Sequence, residues 1–324
     1  MVTLLGDLAL KDDYTHPLGP EKNFNESYYF NFFDRAKKAG GFLRLGNRAN
    51  EGNAEMTLSL YLPDGSVLFQ FKRPEITHND AMDAGGMKFE TIEPMEKLRT
   101  TYEGRAVHLV RPEEMADPSS AFRNNPHKKV KVDLLHEAAG PVYGSSGSNR
   151  VVVDPEKEFA RAHYEQHMKV KGTVEVEGEP TVEIDGLGLR DHSWGPRYWQ
   201  AIHRYRWLTI NFAPDFGMMV STVYQDENNR TQGGVVIRGE KLERIVGVDI
   251  DTTFDDGGLF HKDLVAHLKL EGGEQLDVSG KVMSFIPLRN RREGMVTHVG
   301  EGMTEYRCGD HVGYGLSEYL DQVR

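Results

Sequence analysis

The stretch "GLGLRDHSWGPRYW", Gly186 to Trp199, sets an imidazole, two indoles, a carboxylate and two guanidinium groups side by side. An extended backbone from Asp191 to Gly195 puts His192 and Trp194 on one face, with Asp191 and Ser193 on the other. Histidine gives or takes a proton near neutral pH, and an indole face is the best cation–π partner. The pair therefore suits a site that moves protons beside a transient cation. Asp191 with Arg190 or Arg197 fits a supporting set, to which Trp199 and Glu165 are added as substrate-binding or supporting residues. Gly186 and Gly188 suit a tight turn or a close backbone approach. A core histidine satisfied by backbone, next to a core tryptophan, fits the same residue types, and types alone leave both readings open.

Tyr224 and Asp226 in "VYQD" share a face at strand spacing. An aspartic acid projecting into an apolar barrel is pushed towards its protonated form by desolvation, which makes it a general acid. The following "QDENNR" is also a good hairpin turn that Asp226 would cap. In "HYEQH", His163, Glu165 and His167 share a strand face and offer metal-ligand chemistry. No further ligand is evident, so exposed or core histidines are the expectation and no metal is assigned. Other motifs fail. There is no phosphate loop, Gly186-Leu-Gly-Leu-Arg-Asp191 lacks the third glycine of a dinucleotide fingerprint, and "GSSGS" lacks the context of a nucleophile elbow.

The elements that must carry these residues read mostly at period 2. Residues 54–62 and 67–71 flank Pro63-Asp-Gly65 as a hairpin. Similar runs cover 130–135, 163–170, 172–176, 207–212, 218–224, 234–237, 264–270 and 275–282, separated by Gly-, Pro- and Asp-rich turns. This pattern predicts an all-β chain of antiparallel barrels or sandwiches. Residues 25–38 read as a short helix or a strand, 155–161 as a helical turn capped by Asp154, 138–149 as a flexible loop or domain junction, and 317–324 as a closing strand or short helix. At 324 residues the chain has room for two ordinary domains, expected over 1–150 and 151–324. The formal net charge of −11 argues against a nucleic-acid partner. The single Cys308 excludes an internal disulfide. No signal peptide and no membrane-spanning helix are read, so the expectation is a cytoplasmic protein.

The segments "HYEQHMKVKGTVEVEGE", "IDGLGLRDHSWGPR", "STVYQD" and "EGMTEYRCGDHVGYGLSEY" resemble the hydroxyneurosporene synthase/AttH-like group, which includes the carotenoid hydratases. The likeness is clearest over about residues 160–226 and the last twenty. It implies two lipocalin-like β-barrel domains with an apolar cavity and few short helices. It also implies cofactor-free addition of water to an isoprenoid double bond. In that group a His-x-Trp pair and a downstream Tyr-x-Asp pair protonate the alkene and stabilise the cation; His192, Trp194, Tyr224 and Asp226 match them in type and order. The resulting expectation is a hydratase, dehydratase or isomerase acting on a terpenoid- or steroid-like alkene or alcohol. Asp226 is its acid, Trp194 and Tyr224 its cation-stabilising rings, and His192 its water-orienting base. The alternatives are a non-catalytic carrier of a lipophilic ligand and a pericyclic cyclase of the same fold. Oligomeric state is left open.

Overall fold

The computed structural model describes residues 2–148, 158–292 and 294–323. Alternating apolar and polar residues give strands almost throughout, and the described residues form two compact units. The first holds Met1–Pro63, Leu68–His108 and Asn125–Tyr198; the second holds Asp64–Val67, Leu109–Asn124 and Trp199–Arg324.

The first unit is built on β1 (Leu4–Leu5), β2 (Phe24–Asp34), β3 (Ala39–Arg48), β4 (Asn53–Tyr61), β5 (Val67–Lys72) and β6 (Met82–Ala84). These are followed by β7 (Met87–Glu93), β8 (Lys97–Leu109), β9 (His127–Ala138), β10 (Val142–Ser145), β11 (Ala162–Val176) and β12 (Val182–Pro196). Hydrogen-bonded pairing runs β11-β12-β2-β3-β4-β5-β8-β9 and returns to β11, which closes a ring of eight strands. Residues 25–38 are therefore not a helix. Their core is β2, buried along its whole length, where the aromatic side chains suit a pleated surface. Phe30, Leu43, Leu58, Leu98, Leu134 and Met168 meet in the interior of the ring.

The second unit holds α1 (Pro118–Asn124) and eight strands. These are β13 (Arg204–Ala213), β14 (Phe216–Tyr224), β15 (Arg230–Arg238), β16 (Lys241–Phe254), β17 (His261–Leu270), β18 (Gln275–Arg292), β19 (Met295–Cys308) and β20 (His311–Val323). Each pairs antiparallel with the next, and β20 returns to β13 as a closed barrel. The chain is thus the all-β, lipocalin-like fold expected, with few short helices.

Two expectations about organisation are corrected. The junction is not at 150/151: β11 and β12, which carry the "DHSWG" segment, complete the first ring, and the units part at Tyr198/Trp199. The loop expected over 138–149 contains β10, which pairs with β11 and, in parallel, with β1. Its Ser/Gly composition suggested a linker, but two neighbouring strands give its backbone ladder partners. Of the helical turn expected at 155–161, residues 155–157 lie outside the described residues and 158–161 are not helical. Among the described residues no helix is long and apolar enough to cross a membrane.

Candidate active site

Strand parity and register assemble one polar cluster inside the first ring. Across β11, β12 and β2, Tyr164 stands opposite His192, and His192 opposite Tyr28; Gln166 faces Arg190, and Trp194 faces Glu26. Tyr28 and Phe30 on β2 and Met168 and Val170 on β11 belong to the core cluster, so the side chains of the same parity on these strands point inward. The close approach that this needs is provided at Gly188, where a Cβ would lie 1.9 Å from the Asn31 carbonyl oxygen. The segment before β2 adds Asp13, at the end of a short 3-10 turn (Leu10–Asp13), and His16.

These groups form one hydrogen-bonded run. Tyr164 Oη donates to Asp13 Oδ1 at 2.7 Å and lies 3.1 Å from His192 Nδ1. His192 Nε2 is 2.8 Å from Glu26 Oε1, and His16 Nδ1 reaches the same oxygen at 2.8 Å. Glu26 Oε2 accepts from the His16 backbone N–H at 2.8 Å and from Asn79 Nδ2 at 2.5 Å. On the other side Arg190 Nη1 donates to Asp13 Oδ1, while Arg190 Nε donates to Gln166 Oε1 at 2.8 Å. The Met95 backbone N–H donates to Asp13 Oδ2 at 2.5 Å. Trp194 stacks on His16 with ring centroids 3.9 Å apart, and its centroid lies 4.9 Å from that of His192.

Burial and these bonds set the protonation states. Burial alone would raise the Glu26 pKa, but hydrogen bonds from His16 and His192 overcome it and hold the carboxyl down at about 2. Burial pushes His192 below its ordinary value, against the opposing pull of Glu26, and so favours the neutral ring. Burial also raises Tyr164 well above the usual phenol range, with Arg190 opposing and Asp13 adding to the rise. Tyr164 therefore keeps its proton, and that proton has two acceptors within reach. Asp13, Glu26, His192 and Arg190 are fully buried, whereas His16 and Trp194 are partly exposed.

Of the residues singled out in the sequence, His192 and Trp194 share the interior face that period 2 assigned to them. Arg190 shares it too, so it cannot reach Asp191 on the opposite face and pairs with Asp13 instead. Arg197 Nη2 donates to Ser193 Oγ at 2.8 Å. Asp191 pairs with His163. Glu165 stands opposite Asp191 in the ladder and so lies on the face away from His192, which takes it out of the set expected to support that ring. His163, Glu165 and Asp191 gather their ligand atoms within 4.8 Å. His167 is not in that group, because four residues along a strand span about 13 Å.

The Tyr224 and Asp226 pair belongs to the second unit. Asp226 is exposed, and its Oδ1 accepts the backbone N–H groups of Asn228 at 2.8 Å and Asn229 at 2.9 Å. It is a turn cap in water, not a side chain projecting into an apolar barrel. The Tyr224 ring lies 4.0 Å from the Arg204 guanidinium carbon and 5.3 Å from that of Arg230, so its face is already turned to cations. Trp199 also falls in the second unit, at the start of a 3-10 turn, where its carbonyl accepts Gln322 Nε2 at 2.7 Å. Sequence reasoning missed Asp13, His16, Glu26, Tyr164 and Gln166. Only Glu26 left a local signal, as a carboxylate set into the aromatic run "NESYYFNFF".

Solved structures share this architecture at low identity. A Nitrosomonas europaea protein provisionally described as AttH aligns with a TM-score of 0.65 and 14% identity, over 95% of this chain and 98% of that one. Kievitone hydratase from Nectria haematococca aligns with a TM-score of 0.57 and 12% identity, over 99% and 97%. CghA aligns with a TM-score of 0.55 and 10% identity, over 96% and 94%. Among curated proteins no sequence matches this chain. Residues 9–323 match the family described as "Domain of unknown function (DUF7064)", and the chain belongs to that family.

Proposed function

We propose that this DUF7064 member is a lyase of the hydratase or dehydratase kind, acting on a hydrophobic alkene or alcohol of terpenoid or steroid type. The observation that carries the reading is the unbroken run Asp13–Tyr164–His192–Glu26 buried in the first ring. A buried polar run of this length is costly unless every member is satisfied, and here each member has partners that also transfer protons. The fold shared with kievitone hydratase agrees with it.

Adding water to an alkene places a proton on one carbon and hydroxide on the other; dehydration is the reverse. Glu26 fixes the His192 tautomer with the proton on Nε2, so Nδ1 faces the Tyr164 hydroxyl. In hydration Tyr164 gives its hydroxyl proton to one alkene carbon while His192 Nδ1 takes a proton from the water that adds to the other. His192 then returns that proton to Tyr164; dehydration runs the same transfers backwards. Arg190 holds the Asp13 carboxylate in place. The partly exposed Trp194 is the ring that a substrate meets first. Its face stabilises a developing carbocation by about 0.5–2 kcal/mol.

The test is incubation of the pure protein with a panel of hydrophobic alkenes and tertiary alcohols in 18O-water, read by mass spectrometry. The expected product gains or loses the elements of water, with label entering only on hydration. Saturable ligand binding without any conversion would establish a carrier and sink the lyase reading.

A further inference from the structure

Charge does not balance in the first unit's buried network. Asp12, Asp13 and Glu26 are all buried there. Arg190 answers Asp13. Among the described residues neither Asp12 nor Glu26 has a lysine or arginine partner; each instead faces His16, at 3.6 Å from Asp12 Oδ1 and 2.8 Å from Glu26 Oε1. The His16 and His192 rings stand with centroids 5.7 Å apart and converge on a single Glu26 oxygen, and a dication placed there would answer the charge of both carboxylates.

We infer that His16, Glu26 and His192 form a binding site for a divalent transition-metal ion of the zinc and ferrous class. His16 Nδ1 and His192 Nε2 each lie 2.8 Å from Glu26 Oε1, and the three ligand atoms all fall within 4.8 Å of one another. Neighbouring ligands on an ion with bonds of about 2.0–2.1 Å stand roughly 3–3.4 Å apart, so a small side-chain adjustment admits the ion. Two imidazoles with one carboxylate select such ions over calcium or magnesium.

The surroundings are those of a supported ligand set, in which histidine ligands are held from behind. His192 Nδ1 is backed by Tyr164 and, through it, Asp13. His16 Nε2 faces Asp12, and the His16 ring is stacked on Trp194. Glu26 Oε2 is fixed by Asn79 Nδ2 and the His16 backbone. With an ion in place His192 would hold it through Nε2 and carry its proton on Nδ1, which then donates to Tyr164, and Tyr164 to Asp13. The outer cluster of His163, Glu165 and Asp191 differs in being partly exposed.

The test needs no substrate, so its outcome is separate from that of the lyase reading. The full-length protein is analysed for bound metals by mass spectrometry, stripped with a chelator, and titrated with Zn2+ and Co2+ by calorimetry. One ion per chain is expected, with a Co2+ absorption band in the visible. His16→Ala and His16→Asn, checked for folding by circular dichroism, should weaken affinity by more than about 100-fold. His163→Ala should leave it unchanged. Absence of saturable binding by the wild type overturns the inference. So does wild-type affinity in both His16 variants, or loss confined to His163→Ala.

Discussion

The Tyr164 hydroxyl proton has two acceptors, Asp13 Oδ1 at 2.7 Å and His192 Nδ1 at 3.1 Å, and can serve only one at a time. The proposed proton path would use that competition, and phenylalanine in place of Tyr164 ends it while keeping the ring. We expect Tyr164→Phe to lower turnover by about 10²–10⁴-fold, the range for loss of a positioned proton-transfer group. Stability should fall by only about 1–2 kcal/mol, since Asp13 keeps Arg190 and the Met95 amide. Turnover and urea unfolding measured on one preparation separate these effects; a variant that loses stability but not turnover removes Tyr164 from the path. Asp226→Asn is the companion measurement. As an exposed turn cap it should cost less than about 1 kcal/mol and leave turnover within about two-fold. A folded Asp226→Asn protein without activity would return the acid to the second unit. His192 and Trp194 were legible in the sequence because both lie on one strand, whose period fixes their face. Asp13 and Glu26 were not, because their partners Arg190 and His192 lie 177 and 166 residues away, a distance only closure of the ring removes.

The elements that close this ring depend on how nearly β12 approaches β2. Gly188 stands opposite Phe32, and the neighbouring Asn31 backbone oxygen would be 1.9 Å from a Cβ there. Gly188→Ala must push the two strands apart where Arg190 and His192 are registered against Phe30 and Tyr28. A destabilisation of at least about 2–3 kcal/mol is expected, with loss of activity beyond what the unfolded fraction explains. An alanine variant as stable as wild type would show that the register is set elsewhere. Period 2 made most strands legible, including the hairpin of β4 and β5. It split β11 in two because Gly172 interrupts the pattern; there the chain bends at φ +150° and continues as one strand. It left β2 ambiguous for a related reason. A strand buried on both faces shows no alternation, and its run of aromatics is compatible with either element.

For the molecule as a whole, His136 in the first unit and His261 in the second are buried histidines with strongly lowered pKa values, and they shape the response to acid. In the first, His136 has no hydrogen-bond partner at either ring nitrogen among the described residues; burial, then Arg190, lowers its pKa to about 3. In the second, burial and then Arg206 take His261 to about 3, although its hydrogen bond to Ser317 opposes the fall. An unfolded chain protonates both near their ordinary value of about 6.5. Between that pH and 3 the unfolded state binds more protons than the folded one, so stability falls as pH falls. Each histidine steepens the loss by about 1.4 kcal/mol per pH unit within that window. Glu26 acts in the same direction but lower, its contribution disappearing as pH drops from its ordinary value towards about 2. His136→Leu removes a ring that no hydrogen bond ties to the candidate site. It should leave stability near pH 7.5 unchanged or higher, and flatten the acid limb of the first unit's unfolding transition by about one proton's slope. Urea titrations at pH 4, 5, 6 and 7.5 measure that slope directly; an unaltered limb would mean that His136 carries a partner or a proton in the folded state.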